Sequence, residues 1–298
     1  MTNFIFIGIF VSIGCILRNI KAFPKETAQA LNMFALYISL PAVIFLKVPQ
    51  LHFSEDMLIP AIIPWLMLVL SSLIVIFVGK LLHWPQKTIA VLLLVVPIGN
   101  TSFMGVPMVN TFFGEAGIPY LIVYDQLGTM MIFALFGSVI LAMHGCEGKL
   151  KLSGICKQAV LFPPTLALLA GLVLRFWPYP PALVKLLETL GGMLTPLVMT
   201  AIGFQLTIRL SPKVMEPLGF GLAVKLVIAP LLALLGCRLL GVHGLAADVS
   251  VFEAGMPPMV TAGALAIAAG ILPELAAALI SLGMALSFGT LPLLYWIL

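Results

Sequence analysis

Apolar runs of about 20 residues or more, separated by short polar segments, follow one another along the whole chain. An α-helix needs about 20 apolar residues to cross the hydrocarbon core of a bilayer, so each run is long enough to do so. The pattern predicts an all-α membrane protein with ten transmembrane helices. These spans 1 to 10 are predicted at residues 3–20, 28–47, 58–82, 89–113, 118–143, 159–178, 183–208, 215–240, 247–270 and 274–298.

Two of the runs, spans 4 and 9, contain residues that interrupt helices. Span 4 includes residues 95–109, VVPIGNTSFMGVPMV, and span 9 includes residues 252–266, FEAGMPPMVTAGALA. Proline removes a backbone donor, and glycine leaves helical geometry at low cost. One proline would indicate only a kink, but backbone groups freed in hydrocarbon need protein or a polar cavity around them. We predict that both spans are broken, near 99–105 and 255–258, and cross near the middle of the membrane.

The second half of the chain repeats features of the first half in the same order and at a nearly constant offset. The matched pairs are Gly14 to Arg18 with Gly171 to Arg175, Pro41 with Pro196, and Gly105 to Val109 with Met256 to Val260. Because each half has five spans, the halves must lie in opposite orientations in the membrane. We predict two inverted five-helix repeats, at 1–143 and 159–298, joined by a cytoplasmic linker at 144–158.

Composition and charge predict where the protein is located and how it is oriented in the membrane. Hydrophobic residues make up 62% of the chain and charged residues 9%, whereas about 25% of a soluble domain is charged. Ten lysines and arginines lie in the loops after spans 1, 3, 5 and 7, and four lie on the opposite side. The positive-inside rule then predicts a multi-pass protein of the cell membrane with both termini outside the cytoplasm. Since the cations do not form a patch, nucleic acid is not an expected partner.

The residue types that metal centres and active sites require are scattered along the chain. The four cysteines have no ligand-like spacing, and the four histidines and eleven acidic residues are spread over different loops. Metal sites and intramembrane hydrolases need such groups close together. We therefore expect no metal, no cofactor and no enzymatic activity.

A binding site is expected where the two broken spans meet. Two half-helix N-termini there carry partial positive charge, which favours a small organic anion. The candidate substrate-binding residues are Asn100, Thr101, Ser102, Gly105, Pro107, Gly255, Pro257, Pro258 and Ser39. Asn100 and Thr101 either bind substrate or satisfy freed backbone groups, and the Ser39 hydroxyl either faces the cavity or bonds its own helix.

Three ionisable residues within spans, Asp125, Lys225 and Glu253, are the candidates for ion coupling. Such groups are costly in a membrane and by default mark a functional site or a charge pair. Asp125 and Lys225 lie at compatible depths, so they either exchange a proton during transport or hold two helices together as a static pair. Glu253 precedes the second break, where it either titrates, binds a cation or extends to a cavity.

The motif Pro97-x-x-Asn100-Thr101-x-x-Met104-Gly105-Val106-Pro107-Met108 resembles that of the auxin efflux carrier family. Leu40-Pro41, Lys225 to Pro230 and Glu253 to Pro258 add weaker matches, so the resemblance covers essentially the whole chain. It implies ten spans in inverted repeats, crossing broken helices 4 and 9, outer termini, and Asn100 as a substrate ligand. The wider superfamily has an acidic residue in helix 5 and a lysine in helix 8, which implies coupling through Asp125 and Lys225.

These features together predict a secondary transporter of a small organic anion, either a carboxylate such as malonate or malate or an auxin-like indole carboxylate. The expected mechanism is alternating access with H+ or Na+ symport. The short link after span 5 favours a bacterial-type transporter of the inner membrane over a hormone carrier regulated through its loop. The alternatives are an uncoupled facilitator and a non-transporting sensor on the same fold, and the sequence leaves a homodimer open.

Overall fold

A computed structural model describes residues 2–50, 54–144, 163–206 and 214–298 of the protein. Within these ranges the regular structure is helical, and strand-type backbone pairing is limited to one isolated bridge described below. Six helices are long and apolar enough to cross a membrane: Thr27–Lys47, Glu55–Leu81, Glu115–His144, Pro181–Gln205, Met215–Leu239 and Pro273–Ile297.

Helices α1 to α8 lie in the first half of the chain. Their bounds are α1 Thr2–Leu17, α2 Thr27–Phe34, α3 Leu40–Lys47, α4 Leu58–Leu81, α5 Gln86–Val95, α6 Val106–Phe112, α7 Ile118–Val123 and α8 Ser138–His144. Wider π-helical turns connect several of them, at Ala35–Ser39, Thr101–Gly105, Tyr124–Met130 and Phe133–Gly137. Because such turns continue the helix, α2 and α3 form one span, and α7 and α8 belong to another.

Helices α9 to α16 lie in the second half. Their bounds are α9 Pro163–Leu174, α10 Pro181–Gly192, α11 Leu194–Gln205, α12 Met215–Ala223, α13 Ala229–Leu239, α14 Leu245–Ala254, α15 Val260–Ala268 and α16 Pro273–Ile297. A π-helical turn at Val224–Ile228 joins α12 to α13. Gly244, with φ of 98°, turns the chain into α14, and Pro273 begins α16, where its missing N–H costs no helical hydrogen bond.

Predicted spans 2, 3, 5, 7, 8 and 10 correspond to the six long helices. Span 1 corresponds to α1, and span 6 to α9, which starts at the first described residue after 162. Spans 4 and 9 each correspond to two short helices, α5 with α6 and α14 with α15. The count of ten spans and the inverted repeat stay predictions, and the linker at 144–158 lies outside the described residues except for His144.

The helices pack in two groups. In the first group, α1 lies along α11, and α2 and α3 pack against α9, α10 and α11. In the second group, α4 packs on α14 and on the turn at 124–130, while α5, α12 and α15 pack around α16. The contacts between the groups run mainly through residues 101–112 and α7. Residues 101–112 therefore lie on the seam between the two groups.

Glycines allow the closest approach within the first group. A Cβ atom on Gly14 of α1 would lie 2.1 Å from the carbonyl oxygen of Thr200, and one on Gly203 of α11 would lie 2.0 Å from that of Val11. No side chain fits at these distances, so the backbones of α1 and α11 are in direct contact. This contact makes the pair a rigid support for the seam.

Candidate functional site

The interruptions of spans 4 and 9 meet and pair with each other. Gly99 and Pro258 form an antiparallel backbone bridge. The N–H of Asn100 donates to the carbonyl of Pro257 at 2.7 Å, and the N–H of Met259 donates to the carbonyl of Ile98 at 3.0 Å. Backbone groups that leave the two helices thus bond one another inside the protein, which removes much of the cost of breaking a helix in a membrane.

Beyond the bridge, the chain returns to helix at Thr101, so the break of span 4 covers residues 96–100 rather than the predicted 99–105. The Asn100 carbonyl accepts hydrogen bonds from the N–H groups of Met104 and Gly105, at 3.2 and 3.1 Å. Pro107 then lies in the first turn of α6, where a proline is tolerated. The sequence of glycine, asparagine and proline therefore explains why the helix stops and restarts here.

A cavity of about 480 Å³ lies on the seam, beside the paired segments. Its walls come from α2 and the end of α11 on one side and from the segments around the two interruptions on the other. The lining residues are Gln29, Asn32, Met33, Leu36, Gly99, Asn100, Thr101, Ser102, Phe103, Met130, Gln205, Met259, Val260, Thr261 and Ala264. Amide and hydroxyl groups alternate with apolar side chains, and no lining residue is charged.

Asn100 combines burial with an unused hydrogen-bonding group. It is 2% exposed, and its side-chain Nδ2 has no hydrogen-bond partner within the described part of the chain. A buried donor left without a partner is costly, so a ligand in the cavity would gain by accepting from it. The Nδ2 group therefore does not bond the interrupted backbone, four groups of which bond each other through the pairing with span 9.

The other predicted binding residues divide between the cavity and its supports. Thr101 and Ser102 line the cavity with Asn100. The remaining candidates are buried but are not among its lining residues: Gly105, Pro107, Gly255, Pro257, Pro258 and Ser39. The Ser39 hydroxyl has no partner in the described residues, so the expected bond to its own helix is absent. The prolines and glycines shape the break, while the three consecutive polar residues face the cavity.

Asp125 is held by polar side chains around it. Its Oδ1 accepts hydrogen bonds from the hydroxyls of Thr101 and Ser102, at 2.5 and 2.7 Å, and its Oδ2 accepts one from Gln126 Nε2 at 2.7 Å. The Gln126 carbonyl in turn accepts from Thr165 of α9, at 3.1 Å. The carboxylate therefore links the interruption of span 4 to span 5 and, through Gln126, to the first helix group.

Lys225 does not pair with Asp125. Among the described residues the ion pair is Lys47 with Glu115, whereas Lys225 Nζ donates to the carbonyl of Ala254 at 3.2 Å. The direct Asp125–Lys225 pair considered from their similar depths is thus wrong, because depth gives the height of a residue along a helix and not the direction of its side chain. The carbonyl that Lys225 contacts belongs to the residue directly after Glu253.

The carboxyl group of Glu253 lies beside Gly105 of span 4. It is fully buried, and neither carboxyl oxygen has a partner within the described ranges. A Cβ atom on Gly105 would lie 2.7 Å from Oε1, so the glycine leaves the room that this carboxyl occupies. The three ionisable residues predicted from the sequence are thus all buried and all adjoin the interruption of span 4: Asp125 through Thr101 and Ser102, Glu253 at Gly105, and Lys225 at Gly99.

A second cavity, of about 440 Å³, lies at the other end of the seam. Lys47 of α3 and Glu115, which precedes α7, line it and form an ion pair at 2.7 Å between the two helix groups. This pair was not predicted from the sequence. The available signal was that Lys47 ends predicted span 2 and Glu115 lies in the loop after predicted span 4, on the same side of the membrane.

Comparison with known proteins identifies the family. The family model described as Membrane transport protein matches residues 1–295. The chain belongs to the auxin efflux carrier family of membrane transport proteins. The resemblance found in the motif around Asn100 is therefore confirmed, and the protein is a multi-pass member of a family of transporters rather than enzymes.

Two relatives of this membrane transport protein extend over most of its length. An uncharacterized transporter of Methanothermobacter thermautotrophicus is 28% identical over 288 residues, which cover 96% of this chain and 94% of the relative. An uncharacterized transporter of Methanocaldococcus jannaschii is 26% identical over 259 residues, 84% of this chain and 82% of the relative. Neither description names a substrate.

Proposed function

We propose that this family member is a secondary transporter that moves a small organic anion, a carboxylate such as malonate or malate or an indole carboxylate, by alternating access. The observation that carries the proposal is the uncharged, polar cavity at the paired interruptions, into which Asn100 brings an amide with no protein partner. A cavity at broken helices near the middle of a span is where secondary transporters bind substrate.

The chemistry of the cavity suits a carboxylate. The Asn100 amide is a donor for a carboxylate oxygen, and residues 101–112 begin a helical stretch directly after it, whose first N–H groups favour negative charge. The hydroxyls of Thr101 and Ser102 already donate to Asp125. Their oxygen atoms remain acceptors, so they suit a hydroxyl or a protonated group on the same substrate.

The position of the two cavities on one seam supports the proposal of alternating access. The cavity at Asn100 adjoins α2, whose start follows the positively charged loop predicted in the cytoplasm. The cavity at Lys47 lies at the opposite end. We take the group of α1 to α3 and α9 to α11 as the frame, and the other group, with the interrupted helices, as the moving part. In this proposal the protein has ten spans in inverted repeats, with both termini outside the cell membrane.

Charge balance supports ion coupling in the same proposal. Asp125, Glu253 and Lys225 are all buried, and with all three ionised they carry one net negative charge. An anion that enters the neighbouring cavity adds more negative charge in a poorly solvated region, which is unfavourable unless a cation enters with it. Symport of H+ or Na+ would supply that cation.

Purified protein in liposomes tests the proposal. Uptake of radiolabelled malonate, malate and an indole carboxylate is measured with a proton gradient, with a sodium gradient and with neither, and Asn100→Ala protein serves as the inactive control. We expect uptake of at least one carboxylate that a cation gradient increases. Uptake that ignores both gradients would identify an uncoupled facilitator. Binding of a carboxylate without uptake would identify a sensor, and neither binding nor uptake would refute the proposed substrate class.

A further inference from the structure

Lys225 lies directly behind one residue of the cavity wall. The position that a Cβ atom would take on Gly99 is 3.2 Å from Lys225 Nζ, and Gly99 is a lining residue of the cavity at Asn100. Because Gly99 has no side chain, the ammonium group can approach this part of the cavity wall closely. Lys225 itself is 3% exposed.

An anion in this cavity needs a positive charge nearby, because the lining residues are uncharged and the buried acids Asp125 and Glu253 repel it. An anion that leaves water for this space loses hydration, and uncharged amides and hydroxyls compensate for only part of that loss. Lys225 is the buried lysine or arginine of the described residues. Its Nζ uses one acceptor, the carbonyl of Ala254, and has three donor hydrogens.

We propose that Lys225 recognises the negative charge of the transported anion across Gly99, so that carboxylates are preferred over neutral molecules of the same shape. This inference rests on the proposed transport of an organic anion and assigns its charge recognition to one residue. The attraction acts without direct contact, because Coulomb interactions fall only with the inverse of distance and are weakly screened where water is excluded. This recognition requires glycine at position 99, because a side chain there would push the ammonium group of Lys225 away.

Binding measurements on four variants test this assignment. Malonate and its monomethyl ester are titrated into purified protein by calorimetry at neutral pH, after size-exclusion chromatography has shown that each variant is folded. Lys225→Met is expected to weaken malonate binding by about tenfold or more, and the singly charged ester by less, because the Coulomb energy scales with ligand charge. Lys225→Arg is expected to keep most of the affinity. Lys80→Met, an exposed lysine at the end of α4, is the matched control with unchanged binding.

Gly99→Ala gives a second route if Lys225→Met does not fold. The added methyl group would lie 3.2 Å from Nζ and 3.5 Å from the nearest side-chain carbons, so the flexible lysine has to move. Malonate binding should weaken more than ester binding. If wild-type protein binds malonate and Lys225→Met binds both ligands as wild type does, or loses both equally, the inference is wrong while the proposed function stands. If wild-type protein binds and transports no carboxylate, both fail together.

Discussion

The hydroxyl of Thr101 donates a 2.5 Å hydrogen bond to the carboxylate of Asp125. Thr101 is the first residue of the helical turn after the interruption in span 4, and Asp125 lies in the π-helical turn of span 5. Because Thr101 also lines the cavity, a shift of this segment during transport would move Asp125 with it. The bond therefore couples the movement of span 4 to that of span 5 at the site.

Removing the Asp125 carboxylate should destabilise the protein. In Asp125→Ala the donors of Thr101, Ser102 and Gln126 lose their acceptor in a buried place, which we expect to cost on the order of 2 kcal/mol or more. Asp125→Asn keeps one acceptor oxygen and should cost less. Thermal unfolding in detergent measures both, with Asp56→Ala at an exposed position as the control. Equal loss in the alanine and asparagine variants would contradict the role of the hydroxyl bonds.

Asn100 should be required for binding but not for folding. Its amide has no protein partner to lose, so Asn100→Ala should unfold at nearly the same temperature as wild type. Binding of the transported carboxylate should fall below detection by calorimetry, because a buried, unpartnered donor of the cavity wall is gone. Asn19→Ala, an exposed asparagine that bonds its own helix, is the control. Unchanged affinity in the Asn100 variant would place the site elsewhere.

The interruption of span 4 and the polar lining could be predicted because their causes are local. Pro97 and Gly99 act on the backbone of their own segment, and Asn100 to Ser102 follow in the next turn. Any arrangement that breaks a helix at this point must also give the freed backbone groups hydrogen-bond partners. The sequence therefore indicated both the break and the polar residues beside it.

The charge contacts could not be predicted in the same way. The depth of Asp125 suggested Lys225 as its partner, yet two hydroxyls and an amide bond the carboxylate, and Lys225 donates to a backbone carbonyl of α14. The direction of a side chain depends on how each helix is rotated against its neighbours. The π-helical turns around Asp125 and Lys225 change that rotation and have no recognisable sequence signal.

Two glycines of the same helix should respond differently to the same substitution. Gly14→Ala places a methyl group 2.1 Å from the Thr200 carbonyl oxygen, so α1 and α11 must move apart, at a cost of about 1 to 3 kcal/mol. Gly8→Ala meets no atom within 4 Å and should be neutral or slightly stabilising. Thermal unfolding of the two variants in detergent compares them directly. Similar midpoints would mean that the close contact between the helices is not essential.

A covalent link across the Lys47–Glu115 ion pair should stop transport. The pair joins the two helix groups at 2.7 Å, but Glu115 is 80% exposed, so the salt bridge itself contributes little and opens readily. We expect Lys47→Cys/Glu115→Cys protein, with the four native cysteines replaced by serine, to lose uptake on treatment with a short bifunctional thiol reagent. Either single cysteine variant with the same reagent is the control. Full uptake by protein shown to be cross-linked would exclude movement between the groups at this end.

Glu253→Gln should separate exchange from net transport. Glu253 is buried with no hydrogen-bond partner for either oxygen in the described residues, so glutamine fits the same space and removes only the charge and the proton exchange. If Glu253 takes up the coupling proton, the variant should still exchange internal for external substrate, yet a pH gradient should no longer increase net uptake. Asp125→Asn is the comparison, because its carboxylate is saturated by hydrogen bonds and should leave the response to the gradient in place. Transport assays in liposomes measure exchange and net uptake on the same preparations. Loss of the response in Asp125→Asn but not in Glu253→Gln would assign the coupling to Asp125 instead.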